Sequence, residues 1–313
     1  MKNKEFSATN KLKSKSKFRK RSPFDIVLHL FFILLSACFV LPLVLVISAS
    51  FTGEDWLNAG NGLSLLPKEF STDAYSAVFR NGTRMIRAYV VTISQAVLGT
   101  AGGCLVAGMA AYALSRSNFR FRKPVTIIIF FTMLFSAGMI PTYIVYAKYY
   151  GISNSFWVYI LPGITGGAWY TMVFRTFFKS LPESLFESAH LDGAGEMTIF
   201  VKIVLPLSTP VLASVGFMTL VGKWNNYTTS MIYIRDENLY TLQYLLQRMM
   251  EEANFLKNLS QSAMGNVTMS ASALPAESLK YAMCVVAAGP MLLIFPFFQK
   301  YFSQGLTIGA VKG

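Results

Sequence analysis

The chain has 313 residues, of which 53% are hydrophobic and 14% charged, and it carries a formal net charge of +13. Soluble domains place charge on about a quarter of their residues, so this composition excludes an ordinary soluble fold and assigns the chain to a bilayer. The basic excess would point to nucleic acid if it covered a soluble surface, but much of it is gathered ahead of the first apolar run, which removes that reading.

Nine basic residues, Lys2, Lys4, Lys11, Lys13, Lys15, Lys17, Arg19, Lys20 and Arg21, precede Ser22. Such a cluster before an apolar run is a positive-inside anchor that meets anionic headgroups. Residues 1–23 are therefore expected to be a cytoplasmic tail against membrane lipids, with no nucleic-acid partner. The run at about 24–51 is too long for a secretion signal, whose apolar core is about 7–15 residues, and long enough to cross a hydrocarbon core of about 30 Å. It is expected to be an uncleaved first span. Gly60, Asn61, Gly62, Pro67 and Gly82 mark residues 53–84 as an external loop segment.

A second span, about 85–114, contains Gly99, Gly102, Gly103, Ala107, Gly108 and Ala111. Small side chains let helices approach closely in lipid, so this span is expected to lie inside the bundle. Arg116, Arg120, Arg122 and Lys123 follow without an acid among them and read as a cytoplasmic loop. Pro124 then opens a third span at about 125–147. A fourth, about 156–178, is interrupted by Pro162, Gly163, Gly166 and Gly167. Cys38, Cys104 and Cys284 each sit in apolar segments, and no cluster of Cys, His or carboxylates has metal-ligand spacing.

The interval 180–210 is the one long polar-to-amphipathic stretch between strongly apolar runs. Ser180 is expected to cap a helix, with Glu183 completing a capping box and Pro182 tolerated in the first turn. Asp192 and Gly193 supply a turn, and Pro206 and Pro210 permit fresh helix starts. The result is a short helix, a corner and a second short helix.

Glu187, Ala189, Gly193, Ile203, Leu205 and Pro206 resemble the EAA motif of binding-protein-dependent ABC importer permeases. Asp192, Ala194 and Phe200 extend the likeness to the carbohydrate-uptake branch, and Ser188 departs from it where a first Ala is usual. The resemblance implies an all-α membrane protein with the type I ABC importer fold, its permease domain spanning residues 24–313 and its coupling region residues 180–206. It implies that Glu187 makes an ionic contact with a separate ATPase subunit, that Leu185, Phe186 and Leu191 are apolar anchors there, and that Ala189, Asp192 and Gly193 shape the knuckle. No Walker A pattern is present, since Gly222 and Lys223 are followed by Trp224. The chain is thus expected to be non-catalytic and to bind no cofactor, with ATP and Mg held by partner subunits.

A fifth span, about 207–234, contains Lys223, Trp224 and Asn225. Charge within a membrane costs about 2.5–3.5 kcal/mol on insertion scales and is kept mostly where it faces a cavity or a partner. These residues are read as lining the substrate path, with Lys223 favouring an acidic sugar; a structural, snorkelling role is the competing reading. The interval 235–277 is polar and expected to be external. A sixth span, about 279–301, completes the set and leaves both termini in the cytoplasm.

Residues 302–313 resemble the Gly-Leu-Thr-x-Gly-Ala-Val-Lys-Gly ending of the shorter permease subunit of maltose-type importers. That likeness implies that Gly309, Ala310 and Lys312 reach the ATPase interface and that the chain pairs with a second, different permease. Two ATPase copies and an extracytoplasmic sugar-binding protein complete the implied assembly in a bacterial cytoplasmic membrane, importing oligosaccharides by alternating access. The rival is an ion-coupled secondary carrier. It requires acids or His within the spans, and apart from Asp25 and His29 near one end they are almost absent.

Overall fold

The computed structural model describes residues 23–60, 62–165, 167–262 and 276–310, with side chains in the last helix described to residue 299. The basic tail up to Ser22 and Lys312 lie outside the described residues, as do the side chains of Gly309 and Ala310. The chain divides into two units, Met1–Leu45 and Val46–Gly313. The described part of the first unit is helical and belongs to α1, Pro23–Ser50. At 1.5 Å per residue its 28 residues reach about 42 Å, enough to cross a bilayer as the sequence predicts.

The second unit is helical throughout its described regular structure, and an isolated antiparallel bridge joins Thr52 and Phe70. After α2 (Glu54–Asn58) and α3 (Asp73–Val78) comes the 34-residue α4, Gly82–Ser115. This helix packs against the later helices α7 (Leu161–Thr165), α8 (Ala168–Phe178) and α12 (Thr209–Trp224). Its small residues explain why. A Cβ at Gly103 would stand 3.2 Å from the Gly163 carbonyl oxygen, and one at Gly102 would stand 3.0 Å from Ile164. The backbones therefore approach to distances that larger side chains would prevent.

Between α4 and α8 the chain forms α5 (Arg122–Leu134), α6 (Met139–Ile144), a π-helical turn at Val145–Tyr149 and a 3-10 turn at Phe156–Tyr159. After α8 come α9 (Glu183–Leu191), α10 (Glu196–Ile199), a π-helical turn at Phe200–Val204 and α11 (Leu205–Leu207). Beyond α12 lie α13 (Thr228–Tyr233), α14 (Leu242–Ser262) and α15 (Ala276–Ala310).

The expected six uniform spans resolve into a more broken set. Among the described residues α1, α4 and the Ala276–Gln299 part of α15 are long and apolar enough to cross alone, and two bent pairs raise the candidates to five. The third expected span bends by 115° between Leu134 and Met139, where Gly138 adopts a φ of 83°. The fourth is three short helical pieces, because Pro162 lacks an N–H and Gly163 and Gly167 favour loose backbone. The fifth stops at Trp224 and resumes as α13. The polar interval after residue 235 is not a plain loop, since it contains the 21-residue α14. That helix lies against α15 and α4.

Buried side chains form three clusters. One joins α3, the start of α4, α14 and α15 around Trp224. A second joins the end of α4 to α8, α9 and the π turn. The third gathers Val91, Val158, Tyr159, Tyr233 and Tyr240. The Glu54 carboxylate caps α15, accepting from the Glu277 and Ser278 amides at 2.9 Å each, a favourable place for negative charge at a helix N-terminus. Ile127, Ile128, Phe130 and Phe131 on α5 and Leu292, Leu293 and Phe297 on α15 are exposed. Apolar surface of this extent is a membrane or subunit face rather than a water-facing one.

Candidate functional site

The knuckle predicted at Asp192 and Gly193 is present and closes by local hydrogen bonds. The α9 helix ends at Leu191, and Gly193 takes a φ of 77°. The Gly193 amide donates to the His190 carbonyl at 3.0 Å and the Ala194 amide to the Ala189 carbonyl at 2.9 Å, which together make a Schellman closure. Ala189 and Ala194, three residues before and two after the cap at Asp192, share one apolar cluster. A small residue at 189 thus lets the helix end lie flat on the core. The start of α9 differs from expectation. Pro182 is its cap and makes no side-chain bond, while the Ser180 hydroxyl donates 2.7 Å back to the Phe177 carbonyl, so it serves the end of α8 instead.

The apolar residues of the knuckle divide between two faces. Leu185 and Leu191 are exposed, the latter at 89%, whereas Phe186 is buried at 2%. Phe186 is therefore not an anchor for a partner, because its ring fills this chain's own core, with Arg116 stacked 3.8 Å from its centroid. Glu187, Asp192 and Gly193 are exposed, and among the described residues no side chain pairs with Glu187.

Two residues that sequence reasoning missed tie this knuckle to α4. The Tyr112 hydroxyl, near the end of α4, donates to Glu196 Oε2 at the start of α10, and His190 Nε2 on α9 lies 3.5 Å from Glu196 Oε1. The Tyr112 ring also packs against Phe186 and Phe200, centroids 6.5 and 5.5 Å apart. The Arg175 Nε donates 3.1 Å to the Leu114 carbonyl, joining α8 to the same helix end. The Tyr112–Glu196 contact spans 84 residues and has no sequence signature.

The second candidate region surrounds Lys223 in the last turn of α12. Its ammonium donates 3.1 Å to the Tyr159 carbonyl, at the break before α7. A Cβ at either Gly99 or Gly163 would stand 2.6 Å from Nζ, so two glycines form the slot that admits the lysine. The Lys223 carbonyl in turn accepts from Gln95 Nε2 at 2.7 Å. Among the described residues no carboxylate pairs with it.

Its neighbours separate from it. Trp224 is 2% exposed, and its Nε1 donates 2.9 Å to the Ala287 carbonyl. The expectation that Trp224 lines a path is thus corrected: the indole is buried in the α12–α15 contact, where the Ala287 carbonyl accepts its N–H. Asn225 is exposed beyond the helix end, 3.5 Å from Gln243 Nε2. A further cleft lies between the start of α4 and α14, where Arg84 and Arg248 are already paired with Glu237 and Glu252.

Among the described residues the arrangement offers an exposed knuckle, a half-buried cation held at a helix break, and interrupted helices. Comparison with known proteins agrees with that inventory. Residues 99–308 match the model of the binding-protein-dependent transport system inner membrane component family. The chain is 36% identical over 294 residues, 94% of its length and 100% of the other's, to the polygalacturonan/rhamnogalacturonan transport system permease protein YtcP of Bacillus subtilis (strain 168). It is also 36% identical to protein LplC of the same organism, covering 93% of this chain and 95% of that one. A crystal structure of a bacterial ABC transporter involved in the import of the acidic polysaccharide alginate superposes with a TM-score of 0.74 at 28% identity, covering 89% of this chain and 96% of that chain.

These likenesses support an ABC importer permease and not an ion-coupled carrier. The chain belongs to the family of binding-protein-dependent transport system inner membrane components.

Proposed function

We propose that this permease is one of two different membrane subunits of an ATP-driven importer of acidic oligosaccharides. On this reading it crosses the bacterial cytoplasmic membrane six times, with the broken 156–178 segment as one crossing, and keeps both termini and the knuckle in the cytoplasm. Basic residues support that orientation: Arg116, Arg122, Arg175 and Lys179 flank the helix ends nearest the knuckle. Arg175, then slight burial, then Arg122 lower the Lys179 ammonium below its ordinary value, as expected where cations crowd together.

The observation that carries the substrate class is Lys223, a cation kept in an apolar helix beside the break at Tyr159. Such a charge is rarely retained without a polar cavity or ligand. One relative is named for polygalacturonan/rhamnogalacturonan transport and the structural neighbour for import of the acidic polysaccharide alginate, whereas relatives at 27–30% identity are named for arabinooligosaccharides, galactooligosaccharides and maltodextrin. The choice of the acidic class rests on Lys223. Interrupted helices at membrane depth are where transporters place binding groups.

Coupling follows from the knuckle. Glu187 meets a basic residue of the ATPase, and Leu185 and Leu191 enter its cleft; the end of the chain, with Gly309, Ala310 and Lys312, lies near the same interface. ATP and Mg stay on the two ATPase copies, and an extracytoplasmic binding protein delivers the sugar. Reconstituted with these partners, the Lys223→Met variant is expected to slow uptake of oligogalacturonates several-fold more than uptake of neutral oligosaccharides. An equal effect on both would remove the assignment of an acidic substrate.

A further inference from the structure

We infer that Tyr112 and Glu196 act together as a positioning brace that makes α4 move with the knuckle, so that displacement of α9 reaches the spans instead of being absorbed by bending at the corner. The inference rests on the coupling role proposed above for the knuckle. Its geometry is independent of the exposed Glu187 face.

Three features point to it. First, Glu196 uses both carboxylate oxygens on different elements, accepting from Tyr112 of α4 on Oε2 and lying 3.5 Å from His190 of α9 on Oε1. One side chain therefore links both sides of the corner to α4. Second, the backbone bonds of residues 189–194 that close the corner hold its shape but do not fix it to any span. Third, other contacts between α4 and the knuckle are apolar or aromatic: Tyr112, Phe186 and Phe200 pack as rings, and Arg116 lies over Phe186, while the Arg175 bond to Leu114 ties α4 to α8. Such packing resists separation but permits sliding. A directional hydrogen bond to a carboxylate is stronger than a neutral one and fixes register as well. Tyr112 and Glu196 are thus positioning residues that touch neither sugar nor nucleotide.

The test uses the assembled transporter with its three native cysteines replaced and spin labels at Glu183, exposed at the start of α9, and at Phe119 just beyond α4. In the native brace the distance between labels is expected to stay narrow and unchanged between ADP and ATP, as for a rigid body. Tyr112→Phe keeps the ring and removes only the hydroxyl. It is expected to broaden that distribution and to raise ATP hydrolysis in the absence of the binding protein several-fold.

Glu196→Ala should act likewise, while Glu196→Gln, which keeps an oxygen to accept the tyrosine proton, should restore much of the native behaviour. A role in folding alone would lower the yield of complex without this order among variants. A distribution in Tyr112→Phe as narrow as the native one overturns the brace, whatever the behaviour of the Glu196 variants. Full ATP-driven uptake in Glu187→Lys would instead overturn the coupling reading on which the brace depends.

Discussion

Replacing Gly193 with Ala isolates the backbone contribution to the knuckle. A Cβ built on Gly193 meets no atom within 4 Å, so steric crowding contributes nothing and the whole effect comes from the φ of 77°. Holding an L-residue in the left-handed region costs about 1–2 kcal/mol, equivalent to a factor of roughly 5–30 in the population of the closed corner. The amides of residues 193 and 194, which donate to His190 and Ala189, report that population directly. Their hydrogen exchange in the detergent-solubilised permease should accelerate by the same factor, with the amides inside α4 unchanged.

Two controls sharpen the expectation. Gly195 has a φ of −74° and ψ of 159°, and an added Cβ there also meets nothing within 4 Å. Ala is compatible with that conformation, so Gly195→Ala should leave the corner unchanged or slightly more stable. Gly193→Asn should lie between native and Ala, because Asn visits the left-handed region more readily. Unaltered exchange at residue 194 in Gly193→Ala, or equal acceleration by Gly195→Ala, would refute the claim that positive φ holds the corner.

Glu187→Lys reverses a charge that is exposed and unpaired among the described residues, so it should leave the permease folded and detergent-stable while abolishing its co-purification with the ATPase. An unaltered complex would mean that the contact lies elsewhere. Trp224→Ala removes a buried indole and its bond to the Ala287 carbonyl; the expected loss is about 3–5 kcal/mol, read as a lower midpoint of thermal unfolding. A midpoint within a degree of native would show that α12 and α15 are held by other contacts.

The features legible in the sequence were those set by residues near one another along the chain. Apolar runs long enough for lipid fixed α1, α4 and α15, and the Asp192-Gly193 turn fixed the corner after α9, because each depends on bonds within a few residues. The helix beyond the corner starts at Glu196, well ahead of the expected start at Pro206. Local chemistry also misled where two partners competed. Ser180 had the composition of a cap for α9, but its hydroxyl reached the nearer Phe177 carbonyl of α8. The amphipathic α14 was hidden by its polarity, since Leu242, Leu246 and Ala253 are buried while Glu251 and Glu252 are exposed.

The tertiary structure decided everything that required two distant helices to meet. Trp224 and Lys223 are adjacent in the chain, yet a rotation of about 100° per residue sends the indole into the α15 contact and the ammonium into a slot between Gly99 and Gly163. No local pattern specifies what stands opposite each face. Tyr112 and Glu196 find each other for the same reason, through the packing of small residues along α4 that brings the end of that helix against the knuckle. Sequence therefore determined a membrane permease with a bent helical knuckle, through periodicity and turn chemistry. Only packing decided which side chains join that element to the spans, because helix faces acquire partners after the bundle closes.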